Sequence, residues 1–219
     1  AIEEEIRAAV EDRLGFPVVG EEQGGRAKPG ESYWLVDPIC GTRNFASGIR
    51  LFCVNMALVE GGQITIAVVG NGSTGDVHVS ERGHGAWTVR SEGPERMRAG
   101  MDSRIVNLGS VADVSETERE QAARAAAASI RADRWDIRSL GTTLTLAYVA
   151  EGRIAASIHF WSPALHCGAG ALLASESGAV VTDFHGDPWT LDSGTLLAAA
   201  STEFHGEIVE LLDLGEYGG

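Results

Sequence analysis

The sequence predicts a layered α/β protein, because strand patterns in hairpins come first and strand patterns that alternate with helix patterns follow. Strand patterns occur in consecutive hairpins over the first half of the chain, at 51–59, 64–69, 76–80 and 85–89. In the second half, short apolar runs alternate with helix patterns. A chain of 219 residues with 44% hydrophobic residues is long enough to bury a core. Hairpins followed by alternating elements favour packed layers over one doubly wound sheet.

The first half is interpreted from hydrophobic periodicity and turn residues. Apolar residues recur at helical spacing over residues 1–15, which predicts a helix. Residues 33–36 are typical of a short buried strand that ends at Asp37. The Glu-Gly-Gly sequence at 60–62 lies between two apolar runs and predicts a hairpin turn. Residues 90–103 are polar, and we expect a surface loop there.

The second half contains two clear helix starts. Ser115 followed by Glu118 forms a capping-box pattern that opens an alanine-rich helix. Ser162 and Pro163 predict an N-cap and a first helical residue, for a helix that ends near 177. The remaining predicted elements are strands at 105–108, 135–137, 154–158, 180–182 and 196–200 and helices at 142–150 and 204–212.

Composition excludes several classes of function. Acidic residues outnumber basic ones by 31 to 17, a net charge of −14, which argues against nucleic acid or an anionic membrane as partner. No apolar run approaches the ~20 residues of a membrane span. Three cysteines without a CxxC pattern fit a reducing cytoplasm. We expect Cys53 to pack in the core and these histidines to be exposed: His78, His84, His185 and His205.

One segment concentrates residues suited to chemistry. Glu21 and Glu22 precede a buried strand that ends at Asp37, and Gly41-Thr42 then opens a predicted helix. Carboxylate oxygens are the ligands that Mg²⁺ prefers, and backbone amides at a helix start can receive an anion. The segment therefore suggests a corner that binds a cation and a phosphate.

This segment resembles the inositol monophosphatase family. The family signature is GEE followed by W, two hydrophobic residues and DPIDGTxNF, and the chain has GEE at 20–22 and WLVDPICGTRNF at 34–45. Further matches follow in family order to about residue 200: RSLGT at 138–142, LAYVAEG at 146–152, GAG at 168–170 and ESGAVVTD at 176–183. The resemblance implies an αβαβα sandwich whose first helices would lie before residue 1. It also implies Mg²⁺-dependent, lithium-sensitive phosphomonoesterase activity and a homodimer.

The resemblance also implies roles for particular residues. Glu21, Asp37 and the carbonyl of Ile39 would hold metal, and Thr42 would activate water. The implied phosphate-binding residues are Gly41, Thr42, Gly141 and Thr142. The chain would form one unit over residues 1–219, with a hairpin-rich half at 1–110 that carries the metal motif and a second α/β half at 111–219.

The chain departs from the family at the metal ligands. Cys40 stands where the second Asp of DPIDGT is expected, and His166 stands at the Asp of the family's WDxAAG motif. In the same register, His159 replaces a Glu that contacts the inositol ring in some members. A thiol and an imidazole are poor ligands for Mg²⁺. Ordinary Mg²⁺-dependent phosphatase activity is therefore not expected.

The favoured hypothesis is a repurposed enzyme that acts on a small metabolite by cyclisation, isomerisation, elimination or acyl-type transfer. Residues that replace ligands of one metal should face each other, so Cys40 would be a nucleophile with His166 within reach and His159 as a further acid or base. Cys40 and His166, together with Glu21 and Asp37, equally suit a softer metal such as Zn²⁺. Two alternatives stay open: a phosphomonoesterase with a residual or substitute metal, acting on inositol or sugar phosphates, and a non-catalytic dimeric binding protein.

Overall fold

The chain folds into two β-sheets and six helices in the computed structural model, which describes residues 2–28, 30–100, 103–111 and 114–212. The first sheet has seven strands in chain order, and β1 pairs parallel with β2 while the other pairs are antiparallel. Its strands are β1 Val18–Gly20, β2 Tyr33–Cys40, β3 Cys53–Glu60, β4 Gln63–Asn71, β5 Val77–Glu81, β6 Gly85–Arg90 and β7 Gly93–Arg96.

The second sheet has five strands in the order β11-β12-β10-β8-β9. Its strands are β8 Ile105–Leu108, β9 Asp136–Arg138, β10 Ala156–His159, β11 Val180–Thr182 and β12 Leu196–Ala199. The helices are α1 Ile2–Leu14, α2 Thr42–Ala46, α3 Glu116–Ala132, α4 Leu144–Ala150, α5 Ala164–Glu176 and α6 Thr202–Leu212. The prediction of a layered α/β fold is confirmed.

Helix α5 packs closely against the first sheet and against α4, and two glycines make this approach possible. A Cβ at Gly168 would lie 2.6 Å from Ile64 Cδ1, and a Cβ at Gly170 would lie 2.6 Å from Leu146 Cβ. The apolar residues around this contact are buried. The close packing fixes the first turn of α5, which carries His166, beside the end of β2.

Several local predictions are confirmed. Gly61 and Gly62 form the turn between β3 and β4 with φ of 57° and 79°, conformations that glycine adopts without strain. The Ser115 hydroxyl accepts the Glu118 N–H while the Glu118 carboxylate accepts the Ser115 N–H, which completes the capping box of α3. Cys53 is fully buried. The described residues include no helix that is long and apolar enough to cross a membrane.

Other local predictions are wrong. Strand β2 does not end at Asp37 but continues to Cys40, because β3 pairs with both residues across a register shift. Strand β7 lies within the predicted loop at 90–103, of which residues 101 and 102 lie outside the described residues. Ser162 does not cap α5, since its hydroxyl donates to the Ser193 carbonyl instead.

The prediction that four histidines are exposed is also wrong in part. His78 is buried in the first sheet, where its Nδ1 lies 3.0 Å from the Thr88 hydroxyl. His205 is half-buried beside Thr182. Hydrophobic periodicity does not reveal these positions because the polar partner of one ring nitrogen is supplied by another element in each case.

Candidate active site

A cavity of ≈ 430 Å³ lies where the end of β2, the start of α2 and the first turn of α5 meet. Its lining includes most of the site residues expected from the sequence: Glu21, Cys40, Gly41, Thr42, Gly141, Thr142, His159 and His166. The wall is completed by Arg43, Asn44, Gly109, Ser110, Thr143, Trp161 and Cys167. The tertiary fold therefore brings residues from six separate stretches of the chain to one cavity.

Three potential metal ligands converge at this cavity. Single donor atoms of Glu21, Asp37 and His166 all lie within 4.8 Å of one another. The carboxylate of Asp37 is fully buried, and its Oδ1 accepts the N–H of Ile39 at 3.1 Å. Its other oxygen lies 2.6 Å from His166 Nδ1. The structure therefore pairs His166 with Asp37, which the sequence analysis had not expected.

The charges of this cluster act on one another. Burial, reinforced by the neighbouring charge of Asp37, raises the pKa of the Glu21 carboxyl. Burial lowers the pKa of His166, but the hydrogen bond and negative charge of Asp37 outweigh it, so that the pKa is raised overall. The pair therefore retains a proton more readily than an isolated imidazole does.

Cys40 lies in the same cavity wall but has different partners. Its sulfur accepts the Thr143 N–H at 3.3 Å and lies 2.9 Å from the Thr143 hydroxyl. Asn55 donates to that hydroxyl oxygen at 2.9 Å, which leaves the hydroxyl proton free to point at the sulfur. No hydrogen bond joins Cys40 to His166 in the described part of the chain. The two residues thus share a cavity without forming the nucleophile–base pair that was expected.

The Cys40 thiol also has neighbours that affect its ionisation. The neighbouring Cys53 side chain lowers the pKa of Cys40 more than burial raises it, and Thr143 lowers it further. Burial raises the pKa of Cys53 and of Cys167 well above the usual value. Among the three cysteines, Cys40 is the one that the surroundings favour as a thiolate.

A buried polar network lies behind the cavity. The Leu140 N–H donates to Asn107 Oδ1 at 3.0 Å, so the Asn107 amide must donate to Ser157 Oγ, 3.0 Å away. The Thr145 hydroxyl donates to the Thr142 carbonyl at 3.0 Å. The contact between Ser157 and Thr145, at 2.9 Å, is therefore made by the Ser157 proton. Ser157 has no further proton to give.

This network fixes the tautomer of His159. The imidazole Nε2 lies 2.9 Å from Ser157 Oγ, and because Ser157 can only accept there, Nε2 carries the proton. Burial lowers the pKa of His159 to about 4, so the ring is neutral near pH 7. Its Nδ1 is then an acceptor, and it has no hydrogen-bond partner among the described residues. A Cβ at Gly109 would lie 3.3 Å from Nδ1, so this glycine leaves the nitrogen open to the cavity.

Two glycines shape the wall expected to bind phosphate. Gly41 has φ of 94°, and a Cβ there would lie 2.9 Å from the Leu51 carbonyl oxygen. Gly141 has φ of 64° and faces the Asn44 amide. That amide donates to the carbonyls of Leu51 and Leu140, at 2.9 and 2.7 Å, and so holds the two glycine turns together.

Sequence reasoning missed the polar residues that support the site. Asn55 donates to Thr143 and to the carbonyl of His166, at 2.9 and 3.1 Å. Asn107 orders the network beneath His159. Both asparagines are polar residues within otherwise apolar strands, at CVNMALVE and IVNL. That pattern was the available signal, since a buried amide must find partners.

The fold and this site define a member of a phosphatase family. The model of the inositol monophosphatase family matches residues 1–215, and the chain belongs to that family. It is 32% identical to an inositol-1-monophosphatase of Mesorhizobium japonicum, over 85% of this chain and 70% of that protein. It is 34% identical to the Nus factor SuhB of Xylella fastidiosa, over 84% of this chain and 66% of that protein.

Solved structures show the same fold. The inositol monophosphatase of Thermotoga maritima superposes with a TM-score of 0.82 at 25% identity, over 99% of this chain and 82% of that one. The SuhB protein of Mycobacterium tuberculosis superposes with a TM-score of 0.78 at 27% identity, over 99% and 83%. The recognition made from the sequence motifs is confirmed.

The family is generally Mg²⁺-dependent, and the donor set allows a test of how well Mg²⁺ fits. Glu21 and Asp37 offer the hard oxygens that Mg²⁺ prefers. Cys40 and His166 stand where the resemblance implies further carboxylates, and neither a thiol nor an imidazole supplies hard anionic oxygen. The residues present therefore fit one divalent cation but do not fit a cluster of magnesium ions.

Proposed function

We propose that the chain is a hydrolase of small phosphomonoesters that works with one divalent cation. The observation that carries the proposal is the convergence of Glu21, Asp37 and His166 donor atoms within 4.8 Å of one another, with Glu21 and His166 lining the cavity and Asp37 buried behind them. Family membership and the retained motif around Thr42 support the same class of reaction.

The geometry favours a cation-dependent hydrolase over the repurposed enzyme that the sequence favoured. A repurposed enzyme was favoured because Cys40 and His166 were expected to act together. His166 instead lies with Asp37 and Glu21, the two acidic residues of the family motif that this chain keeps. An imidazole placed beside two carboxylates preserves a cation site, and a bound cation can stabilise the charge that develops during phosphate ester hydrolysis.

Particular residues of the chain can then orient the attacking water and accept its proton. A bound cation would polarise the phosphoryl group and lower the pKa of a coordinated water. The Thr42 hydroxyl donates to the Ile39 carbonyl at 2.9 Å, so its free lone pairs can accept a hydrogen bond from the attacking water and orient it. The carboxylate of Glu21, which lines the cavity, can accept the proton that this water loses.

The opposite wall provides groups for the alcohol portion of the substrate. The Nδ1 acceptor of His159 can receive a hydrogen bond from a substrate hydroxyl. The Trp161 ring is 49% exposed, and its centroid lies 5.4 Å from that of His166. An acceptor beside an exposed aromatic face suits a polyol or sugar, whose hydroxyls donate and whose C–H faces stack.

A phosphate-release assay tests this function. Inositol, sugar and nucleotide monophosphates are incubated with the protein in Mg²⁺, Mn²⁺ or Zn²⁺. We expect release of inorganic phosphate that a chelator abolishes and that Asp37→Asn lowers at least about 100-fold, because the variant removes a buried anionic ligand. The matched control is Asp76→Asn, at a residue in the β4–β5 connection that does not line the cavity. Absence of phosphate release with every cation and substrate would contradict the proposal.

A second candidate function keeps the hypothesis of a repurposed, metal-independent enzyme. It is favoured by the two donors that Thr143 directs at the Cys40 sulfur, its N–H and its hydroxyl. In that enzyme Cys40 would attack the substrate, and the Asp37–His166 pair would serve as acid and base in the manner of other Asp–His dyads.

Selective alkylation tests the second candidate. We expect iodoacetamide at neutral pH to label Cys40 faster than Cys53 or Cys167, because only the pKa of Cys40 is lowered. Peptide mass spectrometry over time measures the three rates, and Thr143→Val, which removes the hydroxyl donor, should slow the labelling of Cys40. Labelling of Cys40 no faster than that of Cys53 would remove the nucleophile from consideration.

A further inference from the structure

We infer that the Glu21–Asp37–His166 cluster is a site for a transition-metal dication of the Zn²⁺ type and discriminates against Mg²⁺. The inference rests on the site named in the proposed function and goes beyond it by stating which ion the chain selects. Three protein donors of mixed oxygen and nitrogen type, grouped within 4.8 Å beside an open cavity, carry it.

The donor set fits the ligand chemistry of zinc. Catalytic zinc sites commonly use three protein ligands, drawn from histidine and carboxylates, and leave a fourth position for water or substrate. The imidazole of His166 and the carboxylates of Asp37 and Glu21 provide such a set. Magnesium favours six oxygens at near-octahedral geometry and gains little from an imidazole.

The charge and rigidity of the cluster favour a bound cation. Two carboxylates lie together here, and among the described residues the basic side chain that forms an ion pair with either one is His166, itself a proposed ligand. Asp37 is fully buried in β2, and His166 is held in the first turn of α5 by an Asn55 hydrogen bond to its carbonyl. Asp37 and His166 are therefore already positioned before an ion arrives, and a bound cation would displace the proton that the two side chains share.

Cys40 lies outside this ligand group. Its sulfur is engaged by the Thr143 N–H and hydroxyl, and its Sγ is not among the donor atoms that lie within 4.8 Å of one another. We therefore expect oxygen and nitrogen ligation without a metal–sulfur bond, which distinguishes this site from a cysteine-rich structural zinc site.

The test measures binding without substrate. The full chain, freed of metal by dialysis against a chelator, is titrated calorimetrically with Mg²⁺, Zn²⁺ and Co²⁺, and Co²⁺ binding is followed by its absorption bands. We expect Zn²⁺ and Co²⁺ to bind at least about 100-fold more tightly than Mg²⁺, in keeping with the order of affinity at mixed nitrogen and oxygen sites. We also expect no sulfur-to-cobalt charge-transfer band.

Variants tie the result to the ligands. His166→Ala should lower Zn²⁺ affinity at least about tenfold, and His166→Asp should move the preference toward Mg²⁺ while preserving a ligand. His84→Ala, at an exposed histidine, is the matched control and should leave both affinities unchanged. Circular dichroism establishes whether each variant is folded. If His166→Ala does not fold, the change of metal preference in His166→Asp decides the test.

Several outcomes would overturn the inference. These are Mg²⁺ binding as tight as Zn²⁺ binding, no effect of His166→Ala in folded protein, and a charge-transfer band that Cys40→Ser abolishes. The proposed hydrolase fails separately: Zn²⁺ binding without release of phosphate would contradict the hydrolase alone. Hydrolysis supported by Mg²⁺ with no Zn²⁺ binding would contradict the metal selectivity alone.

Discussion

Single residues carry the chemistry of this site because of the partners that the fold gives them. His166 is a candidate ligand because Asp37 lies 2.6 Å from its Nδ1, and Cys40 is a candidate thiolate because Thr143 directs two donors at its sulfur. His159 presents an acceptor because Ser157 can only accept from its Nε2. In each case a neighbouring group decides the protonation state of the functional atom.

His159 gives a pH dependence of stability whose sign follows from its burial. Burial lowers its pKa in the folded protein from 6.5 to about 4, so the unfolded chain binds a proton between these values that the folded chain does not. This contribution to stability is present above pH 6.5 and is lost as the pH falls toward 4. The unfolding free energy of the wild type falls between pH 7 and pH 5, and we expect His159→Gln to make that fall smaller by about 2 kcal/mol.

Urea unfolding at both pH values, in wild type and in His159→Gln, measures this difference. His84→Gln serves as the control because that ring is exposed. An equal loss of unfolding free energy in wild type and His159→Gln would show that His159 is not held neutral in the folded protein.

At the scale of elements, α1 holds the loop that carries Glu21. The Glu3 side chain is fully buried, and its carboxylate accepts the N–H groups of Glu22 and Gln23 at 2.6 and 3.1 Å. A Cβ at Gly20 would lie 2.0 Å from Glu3 Oε1, so glycine there admits the carboxylate. Glu3 is thus a positioning residue for the loop and does not itself reach the cavity.

Replacing Glu3 tests this positioning role. In Glu3→Gln, the side-chain NH₂ group would face a backbone N–H, so one hydrogen bond to the loop is lost. We expect a loss of about 2 kcal/mol in unfolding free energy and weaker metal binding with Glu21 still present. Urea unfolding and calorimetric metal titration measure the two effects. Glu4→Gln is the control, since Glu4 is exposed on the same helix. Unchanged metal affinity in the variant would contradict the positioning role.

At the scale of the whole molecule, the negative net charge supports the proposed cation site. The net charge of −14 favours accumulation of cations near the protein, and the two retained carboxylates give them a place to bind. The homodimer implied by the family resemblance stays a prediction. The family resemblance implies aspartates at the positions of Cys40 and His166, and introducing them tests whether those two positions set the metal requirement.

The double substitution Cys40→Asp with His166→Asp should create Mg²⁺-dependent phosphate release. We expect at least about a tenfold gain over wild type in Mg²⁺, equivalent to about 1.4 kcal/mol of transition-state stabilisation. The pair Cys40→Asn with His166→Asn is a matched control that changes shape without adding charge. No gain in the aspartate variant, if it is folded, would show that these two positions do not set the metal requirement.

The sequence by itself determined the layered α/β class, the β3–β4 hairpin, the capping box of α3 and membership of the family. These features depend on local backbone preferences and on motifs read along the chain. Only the tertiary structure decided that His166 pairs with Asp37, 129 positions away, and that Cys40 pairs with Thr143, 103 positions away. Side chains so far apart in sequence meet through the packing of α5 against the first sheet, which no local pattern specifies.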